Sequence, residues 1–161
     1  MVGTPCLDES VVVLDGARVV GNVTMGPGCS VWYNAVIRAE QDVVIGGNTN
    51  VQDNVVIHVS EGHPVHIGDG VSIGHGAIVH GCTIGNNTLI GMGAIVLDGA
   101  TVGNDCIIGA GSVVTQGMVI PDGSVAYGSP ARVRRTMTEH DIAANRHTAQ
   151  SYVELAQQAL A

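Results

Sequence analysis

An aliphatic residue returns at every sixth position along most of this chain, and that period constrains the fold more than anything else in it. Leu7, Val13, Val19, Met25, Val31 and Ile37 hold one phase. The phase slips by two residues to Ile45, Val51 and Ile57. It slips again across an insertion around Glu61-Gly62-His63-Pro64, to Ile67, Ile73 and Val79. One residue is then lost, and the series runs unbroken through Ile84, Ile90, Val96, Val102, Ile108, Val114 and Ile120. Four residues after most of these markers stands a small side chain, such as Cys29, Ala35, Ala77, Ala94, Ala100 or Cys106. Gly, Asn and Asp gather between, where a tight corner needs left-handed backbone. A period of six is neither the 3.6 of a helix nor the 2 of a lone strand. Each unit is therefore read as a short strand plus a corner, three units making one triangular coil. Parallel pairing stacks such coils about 4.8 Å apart. An ordinary sandwich would not hold phase over so many units. The predicted fold is an all-β solenoid of roughly six to seven coils.

Composition agrees. The chain has no Phe, one Trp and three Tyr, so its interior must be filled by small branched side chains in a narrow core. The formal charge is −8, and the six basic residues are all Arg, which excludes a nucleic-acid partner. No apolar run is long enough for a membrane span, and no signal-peptide pattern opens the chain. The four cysteines lack CxxC spacing, so reduced, mostly buried thiols in a cytoplasmic protein are expected. The period stops near Arg132. Residues 1–132 are assigned to the solenoid, and 133–161 to a C-terminal helical segment packed on it within one domain. Thr138-Glu139-His140-Asp141 reads as a helix cap. Ile142, Ala149, Val153, Ala156 and Leu160 then recur at helical spacing, predicting one α-helix from Glu139 to about Leu160.

Stacking the repeat brings polar residues into columns. Residues three units apart lie above one another, so His58 and His80, each following a marker, share a column (80 − 58 = 22, which is 18 plus the four-residue insertion). Arg38 lies in the same column. The next column holds Asp53 and His75, with Gln52 beside Asp53. Two imidazoles a strand spacing apart can share a metal ion, but a catalytic site uses three protein ligands and an open position. His75 faces away from its own chain's pair. A cyclic trimer, in which His58 and His80 of one subunit meet His75 of the next, would complete the set.

Val36-Ile37-Arg38-Ala39-Glu40, Asn50-Val51-Gln52-Asp53-Asn54, Ile57-His58-Val59, Ile73-Gly74-His75 and Val79-His80-Gly81-Cys82 resemble the motifs of γ-class carbonic anhydrases and their bacterial relatives. The resemblance extends through Tyr127-Gly128-Ser129-Pro130-Ala131-Arg132 to the terminal helix, although that ending is shared with acyltransferases. It implies a left-handed parallel β-helix, a handedness that period six alone does not fix. It implies a homotrimer with three intersubunit sites, each holding zinc (or iron or cobalt) on His58, His75 and His80. It also implies that Gln52 orients the attacking hydroxide, that Arg38 pairs with Asp53 across the interface, and that Tyr152 stands near the site. The reaction implied is hydration of carbon dioxide, a small-molecule substrate, to bicarbonate.

Two departures from the family pattern stand out. Glu40 occupies a position where the family usually has Asp, and the long acidic loop that carries proton-shuttle glutamates is replaced by a short insertion with Glu61 and His63. Two other readings therefore stay open. One is a metal-binding trimer with little anhydrase activity, and the other a thioesterase or acyl-coenzyme A transferase of the same fold. By their positions beside the insertion, His63 and His66 read as surface residues or as neighbours supporting the ligands rather than as ligands, His140 and His147 as solvated, and Cys82 as core filler. Arg38 with Asp53 is open between a structural pair and a shaper of the site, and Tyr152 between packing and the site.

Overall fold

The structure is a computed structural model that describes residues 3–159. Its markers pair as the period requires. Val13, Val31, Val51, Ile73, Ile90, Ile108 and Ala126 stack on one face. Val19, Ile37, Ile57, Val79, Val96 and Val114 stack on another. Leu7, Met25, Ile45, Ile67, Ile84, Val102 and Ile120 form the remaining one. In chain order within a coil, the Leu7 series is called the first face, the Val13 series the second and the Val19 series the third. All three are parallel, and the whole is a left-handed β-helix of about seven turns with one C-terminal helix.

The core is as narrow as the composition requires. Ile37, Val51, Ile57, Ile73, Val79, Ile90 and Ile108 are fully buried, with Ala35, Ala77, Ala94 and Cys106 filling the corners between them. Asn34, Asn48, Asn54, Asn87 and Asp105 turn corners at positive φ, a conformation their short polar side chains tolerate.

Each slip in the period has a structural form. The two extra residues before Ile45 lie in a strand, Val36–Ile45, that rounds a corner without breaking. Its partner Arg18–Met25 is shorter there, and the register shifts between Gly21 and Val23. The excess bulges outward and carries Glu40 toward the His58 column. Gly21 lies at φ 89°, and a side chain on it would collide with the carbonyl of Ala39 in that neighbouring strand. The four-residue insertion is a tight loop closed by a bridge between Ser60 and His63.

The end of the chain differs in detail from the sequence reading. Ala131–Thr136 is a strand, antiparallel to Ser124–Gly128, so the solenoid ends in a hairpin and helical backbone begins later than residue 133. The helix spans Glu139–Gln158 with Thr138 as N-cap, while Leu160 lies outside the described residues. Its buried residues are Asn145, Ala149 and Ala156. Asn145 was not anticipated, because a polar residue does not register in an apolar pattern. Its amide donates to the carbonyls of Asn87 (3.1 Å) and Cys106 (3.0 Å), two successive corners of the stack. No described helix is long and apolar enough to cross a membrane.

Candidate metal centre

The strands Val56–His58 and Ile78–His80 pair in register, so His80 sits directly over His58, with Arg38 beneath. His58 Nδ1 and His80 Nε2 face each other at 2.9 Å. The outer nitrogen of each ring meets a carboxylate. Glu40 Oε2 lies 3.0 Å from His58 Nε2, and Asp98 Oδ1 lies 2.5 Å from His80 Nδ1. Glu40 also binds Arg38. Burial works to raise the Glu40 carboxyl, but its own backbone N–H, Arg38 and His58 together hold it below the usual range. Asp98 is likewise held low, chiefly by its hydrogen bond with His80, against some desolvation and with help from Ser60.

His75 stands apart, at the corner between the second and third faces, where its Nδ1 lies 2.7 Å from Asp53 Oδ2. The width of the third face separates it from His58 and His80. Among the described residues no three His, Cys, Asp or Glu side chains converge on one point within the chain. Column geometry thus holds for all six residues: Arg38, His58 and His80 in one line, Asp53 and His75 in the next, and Gln52 beside them. Within the chain, Arg38 pairs with Glu40 and Asp53 with His75.

Gln52 is buried, and its amide nitrogen donates to Asn50 Oδ1 (3.0 Å), while Asn50 Nδ2 donates to Ser72 Oγ (2.9 Å). The end of Gln52 left to its surroundings is the carbonyl oxygen. Gln52, His75 and Tyr152 line one groove of about 360 Å³, whose other walls are largely aliphatic, including Ile90, Met92 and Ile107. Tyr152 reaches it from the helix, its ring edge-on to Trp32 with centroids 5.2 Å apart. Desolvation, and then the charge of Asp53, push the Tyr152 hydroxyl pKa up. The structure therefore places Tyr152 beside Gln52 and His75, where the helical pattern alone left it as packing. A second, shallower cleft of about 340 Å³ beside His58 is lined by Arg38, Glu40, Ser60 and Glu61.

His63, His66, His140 and His147 are exposed. Cys82 is buried in the core, and desolvation pushes its thiol up to about 12. Asp98 and Ser60 were missed. The signal for Asp98 was present in the repeat, since it stands two after the marker Val96, in the corner column that also holds Gly81.

Comparison with known proteins follows the same lines. The bacterial transferase hexapeptide family (six repeats) matches residues 81–116, and the hexapeptide repeat of succinyl-transferase matches residues 64–96. A probable carbonic anhydrase of Methanocaldococcus jannaschii is 53% identical over 94% of this chain and 96% of its own length. The mitochondrial gamma carbonic anhydrase 1 of Arabidopsis thaliana is 42% identical over 95% of this chain, which spans 58% of that longer protein. Among solved structures, a hexapeptide transferase family protein from Anaplasma phagocytophilum superposes with a TM-score of 0.93 at 36% identity, covering 97% of this chain and 93% of its own. With near-complete coverage of the archaeal relative joined to the repeat architecture, this chain belongs to the γ-class carbonic-anhydrase-like family of hexapeptide-repeat proteins.

Proposed function

We propose that this protein holds a divalent metal at the contacts between subunits of a homotrimer and uses it to hydrate carbon dioxide to bicarbonate. The observation that carries this reading is that the histidines flank a single aliphatic face. Up the outside of the third face, beyond an Arg18 at its N-terminal end, runs the ladder Val36, Val56, Ile78, Ile95, Val113. The equivalent column on the first face is Cys6, Thr24, Val44, His66, Thr83, Thr101 and Val119, far more polar. The second face is partly covered by the helix. An aliphatic ladder left uncovered by the helix is a surface built to be covered. Three prisms turning that face toward a common axis would cover it. Each would then set its His58–His80 edge beside the next subunit's His75 edge.

The donor set fits such a metal. A carboxylate on one nitrogen of each imidazole favours the tautomer with its lone pair on the other nitrogen, the arrangement found around bound metals. His58 Nδ1 and His80 Nε2 then oppose two lone pairs at 2.9 Å, which repel unless a cation neutralises them. Three imidazoles with an open position suit zinc, iron or cobalt. A metal there would act as a Lewis acid and supply hydroxide near neutral pH, chemistry for which carbonic anhydrase is itself the standard example.

The chain's own residues complete the reaction. Gln52, its nitrogen engaged by Asn50, offers its carbonyl oxygen to the nucleophile's hydrogen and so aims the nucleophile's lone pair at the substrate carbon. The aliphatic walls beside His75 suit a small apolar substrate better than its charged product. Tyr152, kept in its neutral form, can donate to an oxygen of either. Asp53 uses one oxygen on His75, leaving the other for Arg38 of the neighbouring subunit, which would fix register. Glu61, at the cleft beside His58, is the carboxylate that would pass a proton to solvent, since Glu40 is engaged by His58 and Arg38.

Intersubunit complementation tests the reading. His75→Ala and His80→Ala trimers should each lose metal and carbon dioxide hydration. Trimers mixed from the two should regain one site wherever an intact His58–His80 edge meets an intact His75. Mixed trimers with no more metal than the separate variants would sink it. A thioesterase reading draws on the aliphatic groove, which could take an acyl chain. Hydrolysis of acyl-coenzyme A by the metal-loaded protein, without carbon dioxide hydration, would favour that instead.

A further inference from the structure

Three successive coils meet beside His80, and each departs from the regular repeat or answers a departure. Below lies the inserted loop, where Ser60 and His63 exchange backbone hydrogen bonds (His63 N to Ser60 O, 2.9 Å). In the middle, the lost residue shortens the corner after His80 to Gly81-Cys82. Above, Asp98 occupies the corner column two residues past Val96. Gly81 turns at φ 54°, and a Cβ there would collide with Asp98 Oδ1 and lie 2.8 Å from His63 Cβ. The corner is a notch, emptied of side chain and occupied from both sides.

Within the notch, Asp98 uses both oxygens. Oδ1 takes His80 Nδ1 at 2.5 Å, and Oδ2 accepts from Ser60 Oγ at 2.9 Å. A carboxylate so held cannot rotate freely, and it fixes both the tautomer and the tilt of the imidazole it binds. His58 has a looser arrangement, since Glu40 is exposed and divides its oxygens between His58 and Arg38.

We infer that Asp98, clamped by Ser60, is the positioning residue that presents His80 Nε2 as a metal ligand, and that the insertion and the lost residue are the sequence changes that build this clamp. The inference rests on the metal reading above. It gives the two irregularities a common purpose: one lifts Ser60 to Asp98, and the other clears Gly81 from between Asp98 and His80.

The test uses the full-length protein with zinc or cobalt. Competition against a chromophoric chelator should show Asp98→Ala binding metal roughly 10- to 100-fold more weakly than wild type. Ser60→Ala should fall in the same direction by less, and it serves if Asp98→Ala folds poorly. Imidazole nitrogen–proton NMR of metal-stripped protein should show the His80 proton on Nδ1 in wild type and shared between nitrogens in Asp98→Ala. Asp98→Asn, which keeps an oxygen acceptor, should restore the wild-type tautomer. Wild-type affinity in a folded Asp98→Ala, with the His80 tautomer unchanged, would overturn the role of Asp98 and leave the metal reading intact. A wild-type protein that takes up no metal would overturn the metal reading itself, and this role with it.

Discussion

Burial moves the thiols of this protein in one direction. Desolvation pushes Cys82 up to about 12 and Cys29 up to about 11, because both sit in corners of an aliphatic core. The unfolded chain ionises its thiols near pH 8.5. Above that value the unfolded state binds fewer protons than the folded one, so stability contributed by the neutral thiols is intact below it and lost as pH rises toward 11 or 12. Each thiol should cost about 1.4 kcal/mol per pH unit in that window. Urea unfolding between pH 7 and 11 should show the decline, and Cys82→Ala should make it shallower. An unaltered slope in the variant would remove Cys82 as a cause. Site residues varied in how far they could be read beforehand. His58, His75, His80, Arg38, Asp53 and Gln52 could be set in columns because a fixed period turns residue numbers into positions in space. Asp98 obeyed the same rule but carries no ligand-type signature alone; its meaning appears only when Gly81 is seen to leave room for it. Ser60 could not have been found this way, since an insertion interrupts the period that locates residues.

Elements of this protein owe their shape to different causes. The strands are too short to be stable alone and exist because each lies on the next. The helix carries its own start signal. Thr138 Oγ accepts from Asp141 N (3.2 Å) while Asp141 Oδ2 accepts from Thr138 N (2.8 Å), and Arg135 joins the same carboxylate at 2.5 Å. The guanidinium of Arg135, and then Thr138, hold the Asp141 carboxyl far below the usual range. Thr138→Ala should cost about 1 kcal/mol. The Asp141 contribution is present above the ordinary aspartate range near pH 4 and fades as pH falls below it. In Asp141→Asn that acid-dependent part of the unfolding curve should be absent, and its persistence would count against the cap. This signal was legible in the sequence, as was the apolar side of the helix. The hairpin Ser124–Gly128 with Ala131–Thr136 was not, because it reverses direction and so leaves the parallel period that made every other strand readable.

At the scale of the whole molecule, the acidic prism has one face that water should not keep. If the third face is the trimer contact, Ile78→Arg at the centre of its ladder should yield folded monomers in sedimentation and abolish metal uptake without touching a ligand. A variant that remained trimeric with full metal content would place the contact elsewhere. Another consequence lies in the helix. Asn145 binds corners at Asn87 and Cys106, while Ala156 packs with Val12, Leu14 and Trp32 near the opposite end of the stack. A solenoid without such a link is an open linear array whose terminal coils fray independently. Here the last element of the chain is fastened to the second face of its earliest coils, so the array is closed on itself like a ring formed by non-covalent circularisation. Loss of the outermost coil then also strips Val12 and Leu14 from the far end of the helix. Fraying from the N-terminal end is thereby coupled to loosening of a helix that Asn145 still holds at the other.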